Sequence, residues 1–308
     1  MLKINVALSF DDNYAIGGGV VIHSTLKNLK ENIHATIHIL YSELNTDSKT
    51  RIERIVRQHD SLLRWHCIDQ KTFESFNTHK IPRHYTKEAL FRLLLPDLLP
   101  RIDEILYLDV DLLVRDDVSV LFQKHASSLV GACLDMFMPR AKQQVPNFEH
   151  YGLSANDLVV NTGVCLFNLK EIRKTALIAR SVQLLIEHTE DMRYLDQTAI
   201  NIAFKGKINF LPMNWNVFPG AIAKQWISPV DSIRPFDCDV LTNPKIVHFT
   251  ARPKPWTKSP KSISFSDEWR KSLYESRWFH SEIELFIWVL KRRWNRKTLQ
   301  ILWKWRSI

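Results

Sequence analysis

The clearest chemical signal in this 308-residue sequence is Ile105-Leu-Tyr-Leu-Asp109-Val-Asp111-Leu-Leu-Val114, where an apolar run ends in two carboxylates two residues apart. While the chain stays extended, side chains at i and i+2 leave from the same face. Two carboxylates held that close repel each other unless a cation sits between them. Oxygen donors suit magnesium or manganese, ions that commonly clamp diphosphates. A plainer alternative stands beside this one, in which one aspartate caps the next turn and the other is solvated. The bare tripeptide does not separate the two, but the long apolar approach favours the metal.

A second segment, Ile246-Val-His248-Phe-Thr-Ala-Arg252-Pro-Lys254-Pro-Trp256, brings a histidine on a short apolar strand and follows it with cations in a proline-stiffened loop. Neutral imidazole is a good manganese ligand, and an ammonium such as that of Lys254 can neutralise a leaving phosphate. A lone histidine is more often structural, so only its basic loop makes it a candidate. Asp11-Asp12-Asn13-Tyr14 closes the first strand, where carboxylate, amide and ring could meet a base and ribose, or simply form a polar turn. Asn161-Thr-Gly163 and Tyr194-Leu-Asp196-Gln197 each read alone as a cap or turn. Gly17-Gly18-Gly19 lacks the spacing of a dinucleotide fingerprint, and no P-loop, nucleophile elbow or zinc-protease motif occurs.

These residues need a frame. Alternation predicts strands at Lys3–Phe10, His34–Tyr41, Leu63–Ile68, Glu104–Leu108, Leu129–Leu134 and Gly163–Leu169. Helical spacing predicts helices at Gly19–Lys30, from a cap at Thr46, at Thr86–Leu95 up to Pro96, in one long piece to about His188, and around Asp196–Phe204. Strands alternating with helices argue for an α/β fold with a parallel or mixed sheet, and such sheets bind ligands beyond the carboxyl ends of their strands. From Pro212 to Pro260 the Pro, Trp and Asn content suggests loops folded over a site.

Composition narrows the class. With 45% hydrophobic and 24% charged residues the chain can bury a large core, and no apolar run approaches the ~20 residues of a membrane span. The start reads as a strand rather than a signal peptide, and the scattered cysteines (Cys67, Cys133, Cys165, Cys238) suit a reducing cytoplasm. The net charge of +9 is concentrated, because Lys291 to Arg306 holds seven basic residues and no acid. Five of the ten tryptophans fall from Trp278 onward. The expected division is therefore one domain over 1–265 and a basic, tryptophan-rich tail over 266–308.

Taken in order, Asp11-Asp12-Asn13-Tyr14, Arg92 in Ala-Leu-Phe-Arg-Leu, Tyr107-Leu-Asp-Val-Asp111, Asn161-Thr-Gly163, Leu195-Asp-Gln197 and His248…Lys254-Pro-Trp256 resemble glycosyltransferase family eight. The likeness spans about residues 4 to 256 and is strongest to the bacterial galactosyl- and glucosyltransferases that extend lipopolysaccharide or lipooligosaccharide cores. It implies a GT-A fold, a retaining reaction, and UDP-glucose or UDP-galactose as donor. Manganese, or magnesium in its place, would be held by Asp109, Asp111 and His248. Asp11, Asp12 and Asn13 would face the uridine, with Asp109 and Lys254 at the diphosphate. Arg92, Asn161, Asp196 and Gln197 would surround the transferred sugar. Two positions depart from the family pattern: Thr198 replaces a second carboxylate after Asp196-Gln197, and Ala251 replaces a glycine before Lys254. The first argues against double displacement and for same-face attack with Gln197 beneath the anomeric carbon.

The tail spaces Ile287, Leu290, Trp294, Thr298, Ile301 or Leu302, and Trp305 at three and four residues, with Lys291, Arg292, Arg296 and Lys297 largely off that stripe. A basic amphipathic helix with tryptophans suits an anionic membrane surface, so peripheral residence on the inner face of the cytoplasmic membrane is expected, beside a saccharide or lipid-linked acceptor. Nucleic acid is not expected as a partner. Two other functions compete. A phosphatase-type aspartyl loop would need Thr or Val where Leu113 stands. A non-catalytic nucleotide-sugar binding protein would keep the fold and lose turnover.

Overall fold

The computed structural model describes residues 2–69, 87–123, 128–223, 240–250, 252–257 and 263–293. Strand β1 (Leu2–Ser9) buries Ile4, Val6, Ala7 and Leu8 in succession, the pattern of a strand covered on both faces. It lies between β2 (Ile33–Tyr41) and β4 (Glu104–Leu108), parallel to both. Beyond β2 comes β3 (Leu62–Cys67). Beyond β4 come β7 (Val160–Asn168), β6 (Val130–Leu134) and β8 (Ile208–Phe210), giving the order β3-β2-β1-β4-β7-β6-β8. Because β7 runs antiparallel to β4 and β6, the sheet is mixed but mostly parallel, as the sequence pattern predicts.

That one reversal positions the site. The register pairs Leu108 with Val164 and Leu134 with Val160. The chain leaving β1, β4 and β6 and the chain entering β7 therefore meet at one sheet edge. Phe10, Asp109, Asp135 and Asn161 are collected there. A small antiparallel pair, β5 (Leu112–Val114) with β9 (Ile246–His248), sets Leu112 opposite His248.

Helix α1 (Ala15–Asn28) starts earlier than its apolar spacing suggests and packs its glycines tightly. A Cβ on Gly17 would stand 2.5 Å from the Val110 carbonyl oxygen, and one on Gly19 would stand 2.6 Å from the Trp278 ring. The triplet thus allows close approach of a helix to its neighbours. Helix α2 (Thr46–Arg57) is capped by Asn45, whose Oδ1 accepts from Ser48 N at 2.7 Å, not by Thr46. Lys87–Leu94 is a 3-10 segment that Pro96 does not end, since the proline sits in the first turn of a following short helix, where a missing N–H costs nothing. The long helix expected before His188 is interrupted, and its second part is α3 (Leu177–Glu187). Helix α4 (Asp196–Ala203) follows.

Past residue 265 the chain continues into the same packing. Helix α5 (Ser266–Glu275) buries Trp269 and Leu273, and Trp278 is buried after it. Arg51 of α2 then ties down α6 (Glu282–Arg293), bonding Glu284 at 2.7 Å and the Trp278 carbonyl at 2.7 Å. Residues 294–308, most of the predicted amphipathic stripe, lie outside the described residues, as do Ala251 and Cys238. No helix among the described residues is long and apolar enough to cross a membrane.

Candidate active site

A cleft of about 520 Å³ opens at the sheet edge, lined among others by Arg92, Asp109, Asp111, Asn161, Asp196, Gln197, His248 and Lys254. Eight of the predicted site residues therefore share one cavity. Asp11, Asp12 and Asn13 do not line it. Asp11 accepts from the backbone of Asn13 and Tyr14, shaping the turn into α1, while Asp12 accepts from Asn45 N at 3.1 Å. From that segment the wall takes Ser9, Phe10 and Tyr14 instead.

Asp109 and Asp111 converge for a different reason than the strand pattern suggests. The strand ends at Leu108 and the next begins at Leu112, so the pair occupies the passage between two sheets. Asp109 N donates to the Gly163 carbonyl at 2.8 Å, and the Asp111 carbonyl accepts from Phe249 N at 2.8 Å. Those two anchors turn both carboxylates toward His248. Its Nε2 stands 3.2 Å from Asp111 Oδ1 and 3.7 Å from Asp109 Oδ2. One ligand atom from each of the three lies within 4.8 Å of the others, the only such group among the described residues.

This donor set fits a divalent cation. Two carboxylate oxygens and an imidazole nitrogen share one point, a mixture manganese accepts readily. Space for it is kept by Gly163, where a Cβ would fall 2.2 Å from His248 Cε1 and 2.9 Å from Asp109 Oδ2. Lys254 Nζ meets Asp111 Oδ2 at 2.5 Å and the carbonyls of Phe249 and Thr250. Burial works to raise the Asp111 carboxyl, but the Lys254 ammonium and His248 outweigh it and hold the group well below the usual carboxylate range.

The opposite wall is built on Arg92, almost wholly buried. Its Nη2 donates to Asp109 Oδ1 at 2.8 Å, its Nη1 to the Thr162 carbonyl, and its plane lies 4.2 Å over the Tyr107 ring. Burial opposes its charge, yet Asp109 and Asp196 raise the guanidinium above its ordinary range. Arg92 Nε is 2.9 Å from Asp196 Oδ2, but its hydrogen points to the Ala89 carbonyl, so this is a charge contact rather than a hydrogen bond. Asp196 Oδ2 is accordingly left without a hydrogen-bond partner. Burial lifts its carboxyl to about 6 in spite of Arg92. The residue before it, Leu195, has φ 46°, a strained backbone for a side chain with a Cβ, and it delivers Asp196 and Gln197 at the start of α4.

Gln197 Oε1 accepts from Asn161 Nδ2 at 2.9 Å, and its Nε2 donates to Gln144 Oε1 at 3.0 Å. Thr198 turns away, its Oγ1 accepting from Tyr194 N at 3.0 Å in a fully buried position. Sequence reasoning missed Asp135, Gln144 and Asn216. Asp135 follows β6 and accepts from the backbone N–H groups of Phe137 and Met138. Asn216, wholly buried, has its Oδ1 2.8 Å from His248 Nδ1 and donates to Asn161 at 2.9 Å. The only sequence signal for Asn216 is its place in the Pro-, Trp- and Asn-rich stretch that begins at Pro212.

Known proteins resemble this chain along most of its length. The General stress protein A of Bacillus subtilis is 24% identical over 87% of this chain and 92% of its own length. A lipopolysaccharide 1,2-glucosyltransferase of Escherichia coli is 25% identical over 69% of this chain, which spans 62% of that protein. The galactosyltransferase LgtC, solved with donor and acceptor sugar analogs, superposes with a TM-score of 0.77 over 88% of this chain and 96% of its own at 22% identity, so the fold is GT-A. The model of glycosyl transferase family 8 matches residues 5–259, and the chain belongs to that family of glycosyltransferases.

Proposed function

We propose that this chain is a retaining hexosyltransferase that moves glucose or galactose from a UDP-sugar to a saccharide of a lipopolysaccharide or lipooligosaccharide core, or to another lipid-linked glycan. The convergence of Asp109, Asp111 and His248 in the cleft that also holds Arg92, Asn161, Asp196, Gln197 and Lys254 carries this reading. Asp109, Asp111 and His248 would hold manganese, or magnesium. Bound there, the cation would supply positive charge against the diphosphate as it leaves.

The remaining roles belong to the chain itself. Lys254 would add its charge at the departing phosphate, and Asp11, Asp12 and Asn13 would meet the uridine from just outside the cleft. Arg92 would fix Asp109 and Asp196 against each other, while Asn161, Asp196 and Gln197 would receive the sugar. Thr198, used as a turn acceptor, leaves α4 without a second carboxylate, and Asp135 beside Gln197 is engaged by the Phe137 and Met138 N–H groups, which supports same-face attack with the Gln197 amide beneath the anomeric carbon. No strong base is required if a phosphate oxygen of the leaving group takes the acceptor proton. Both named relatives from lipopolysaccharide and galactosyl transfer are transferases, which favours turnover over mere binding.

Catalysis would reside in residues 1–265, and membrane attachment in 266–308, with α5 as the weld between them. Ile283, Phe286 and Ile287 of α6 are 70%, 61% and 40% exposed and share one side of the helix by spacing, just before the basic run. Such a face suits the inner surface of the cytoplasmic membrane, where lipid-linked acceptors reside. The testing experiment is UDP release from a panel of UDP-sugars with manganese and with a chelator. One hexose should give a chelator-sensitive signal, diminished by Gln197→Ala. Chelator-resistant release, or none even with lipooligosaccharide acceptor, would refute the proposal.

A further inference from the structure

A chain of side-chain amides runs from the sugar wall of the cleft to the histidine of the metal site. Gln144 Nε2 donates to the Met138 carbonyl at 2.9 Å, so Gln144 Oε1 must be the end that accepts from Gln197 Nε2. Gln197 Oε1 then faces Asn161 Nδ2, and it also accepts from Thr162 N at 3.3 Å. Asn161 Oδ1 accepts from Gly163 N at 3.0 Å and from Asn216 Nδ2 at 2.9 Å. Only Asn216 Oδ1 is left to meet His248 Nδ1, at 2.8 Å.

Amide oxygens and nitrogens are alike in shape, so each orientation in such a chain depends on its neighbours. Here three backbone groups remove the ambiguity. The Met138 carbonyl can only accept, and the Thr162 and Gly163 N–H groups can only donate, and all three demand the same polarity. An acceptor at Asn216 Oδ1 requires a hydrogen on His248 Nδ1, leaving Nε2 as the nitrogen whose lone pair faces Asp109 and Asp111. Metal-binding histidines are commonly oriented this way by a partner on the other ring nitrogen.

We propose that Asn216 is a positioning residue that fixes the Nδ1–H form of His248 and thereby makes Nε2 a metal ligand, with the amide chain from Gln144 through Gln197 and Asn161 setting its polarity. The metal part rests on the function proposed above. The tautomer part does not. Asn216 acts through His248 and does not line the cleft. It is wholly buried, with one end of its amide on His248 and the other on Asn161. The same chain links the residues assigned to the donor sugar with a metal ligand.

Histidine-labelled protein, read by 15N NMR at a pH where the ring is neutral, tests the lock without metal and without any variant at Asn216. The His248 signal is assigned by its loss in His248→Gln. A hydrogen on Nδ1 is expected, and a hydrogen on Nε2 overturns the proposal. Manganese affinity, measured by electron paramagnetic resonance with saturating UDP, should fall about 10- to 100-fold in Asn216→Ala. It should recover in part in Asn216→Asp, which keeps an acceptor for Nδ1–H but loses the donor to Asn161 Oδ1. Undiminished affinity in folded Asn216→Ala overturns the proposal, as does equal loss in both variants. If wild-type protein binds no manganese, the metal-site reading fails, and the ring hydrogen still decides the lock.

Discussion

Two regions of this molecule bury titratable side chains, and they do so to different ends. In the cleft, Asp109, Asp111, Asp196, Arg92, His248 and Lys254 point at one another around an open volume. Away from it, His38 bonds His66 at 3.0 Å and Asn5 at 3.3 Å across three neighbouring strands, and His23 bonds His59 at 3.1 Å between α1 and the end of α2. Burial, followed by the neighbouring histidine, lowers both His38 and His23 to about 4. Perturbation alone therefore does not mark a site. His38 is satisfied on both ring nitrogens by His66 and Asn5 in closed packing, whereas the cleft turns three ligand atoms toward one point beside an open volume. Functional burial is recognised here by charged groups converging on an open volume, and structural burial by groups closed onto one another.

Five substitutions sharpen this contrast. The largest effect belongs to Arg92→Met, which strands Asp196 and the Thr162 carbonyl and should cost about 3–5 kcal/mol in urea unfolding. Adding Asp196→Asn should return part of it, and strict additivity of the two would contradict the shared charge contact. Next is the histidine cluster. Between pH 6.5 and about 4 the unfolded chain takes up a proton that folded His38 refuses. Stability from this group is full above that window and lost as pH falls through it, by roughly 2–3 kcal/mol. His38→Gln should flatten that dependence without altering turnover near neutrality.

Smaller effects follow. Gln144→Leu removes one end of the amide chain and should cost about 1 kcal/mol, while Thr162 and Gly163 keep the polarity and metal affinity stays within a few-fold. Phe286→Glu should shift stability by no more than about 0.5 kcal/mol, since the ring is mostly exposed. Vesicles containing anionic lipid should nonetheless retain less of that variant in a sedimentation assay. Equal retention would detach the α6 face from membrane binding.

Much of the frame was legible because parallel strands write themselves as apolar runs. Leu2–Ser9, Ile33–Tyr41 and Glu104–Leu108 lie within a residue of their expected positions. The carboxylate pair was legible because it ends such a run, although its convergence comes from backbone anchors on Gly163 and Phe249 rather than from persistent strand geometry. Helix ends were less so: Asn45 rather than Thr46 caps α2, and Pro96 fits inside a first turn. Asn216 was illegible, because a buried amide in a stretch rich in Pro, Trp and Asn looks like any loop polar residue until its partners are known. The composition of the tail misled in one respect. Trp278 and Trp269 belong to the core, one against Gly19 and the other beneath Trp256, so the aromatic content past residue 265 is partly ordinary packing.

The central claim is that Asp109, Asp111 and His248 form a metal site serving a nucleoside diphosphate. It is tested most directly by the thermal midpoint with UDP alone, manganese alone, and both together, in wild-type protein and in Asp111→Ala. The account predicts a rise of several degrees with both ligands that exceeds the sum of the separate effects and vanishes in Asp111→Ala. A UDP-induced rise that is the same without manganese, or that survives in the variant, would contradict it.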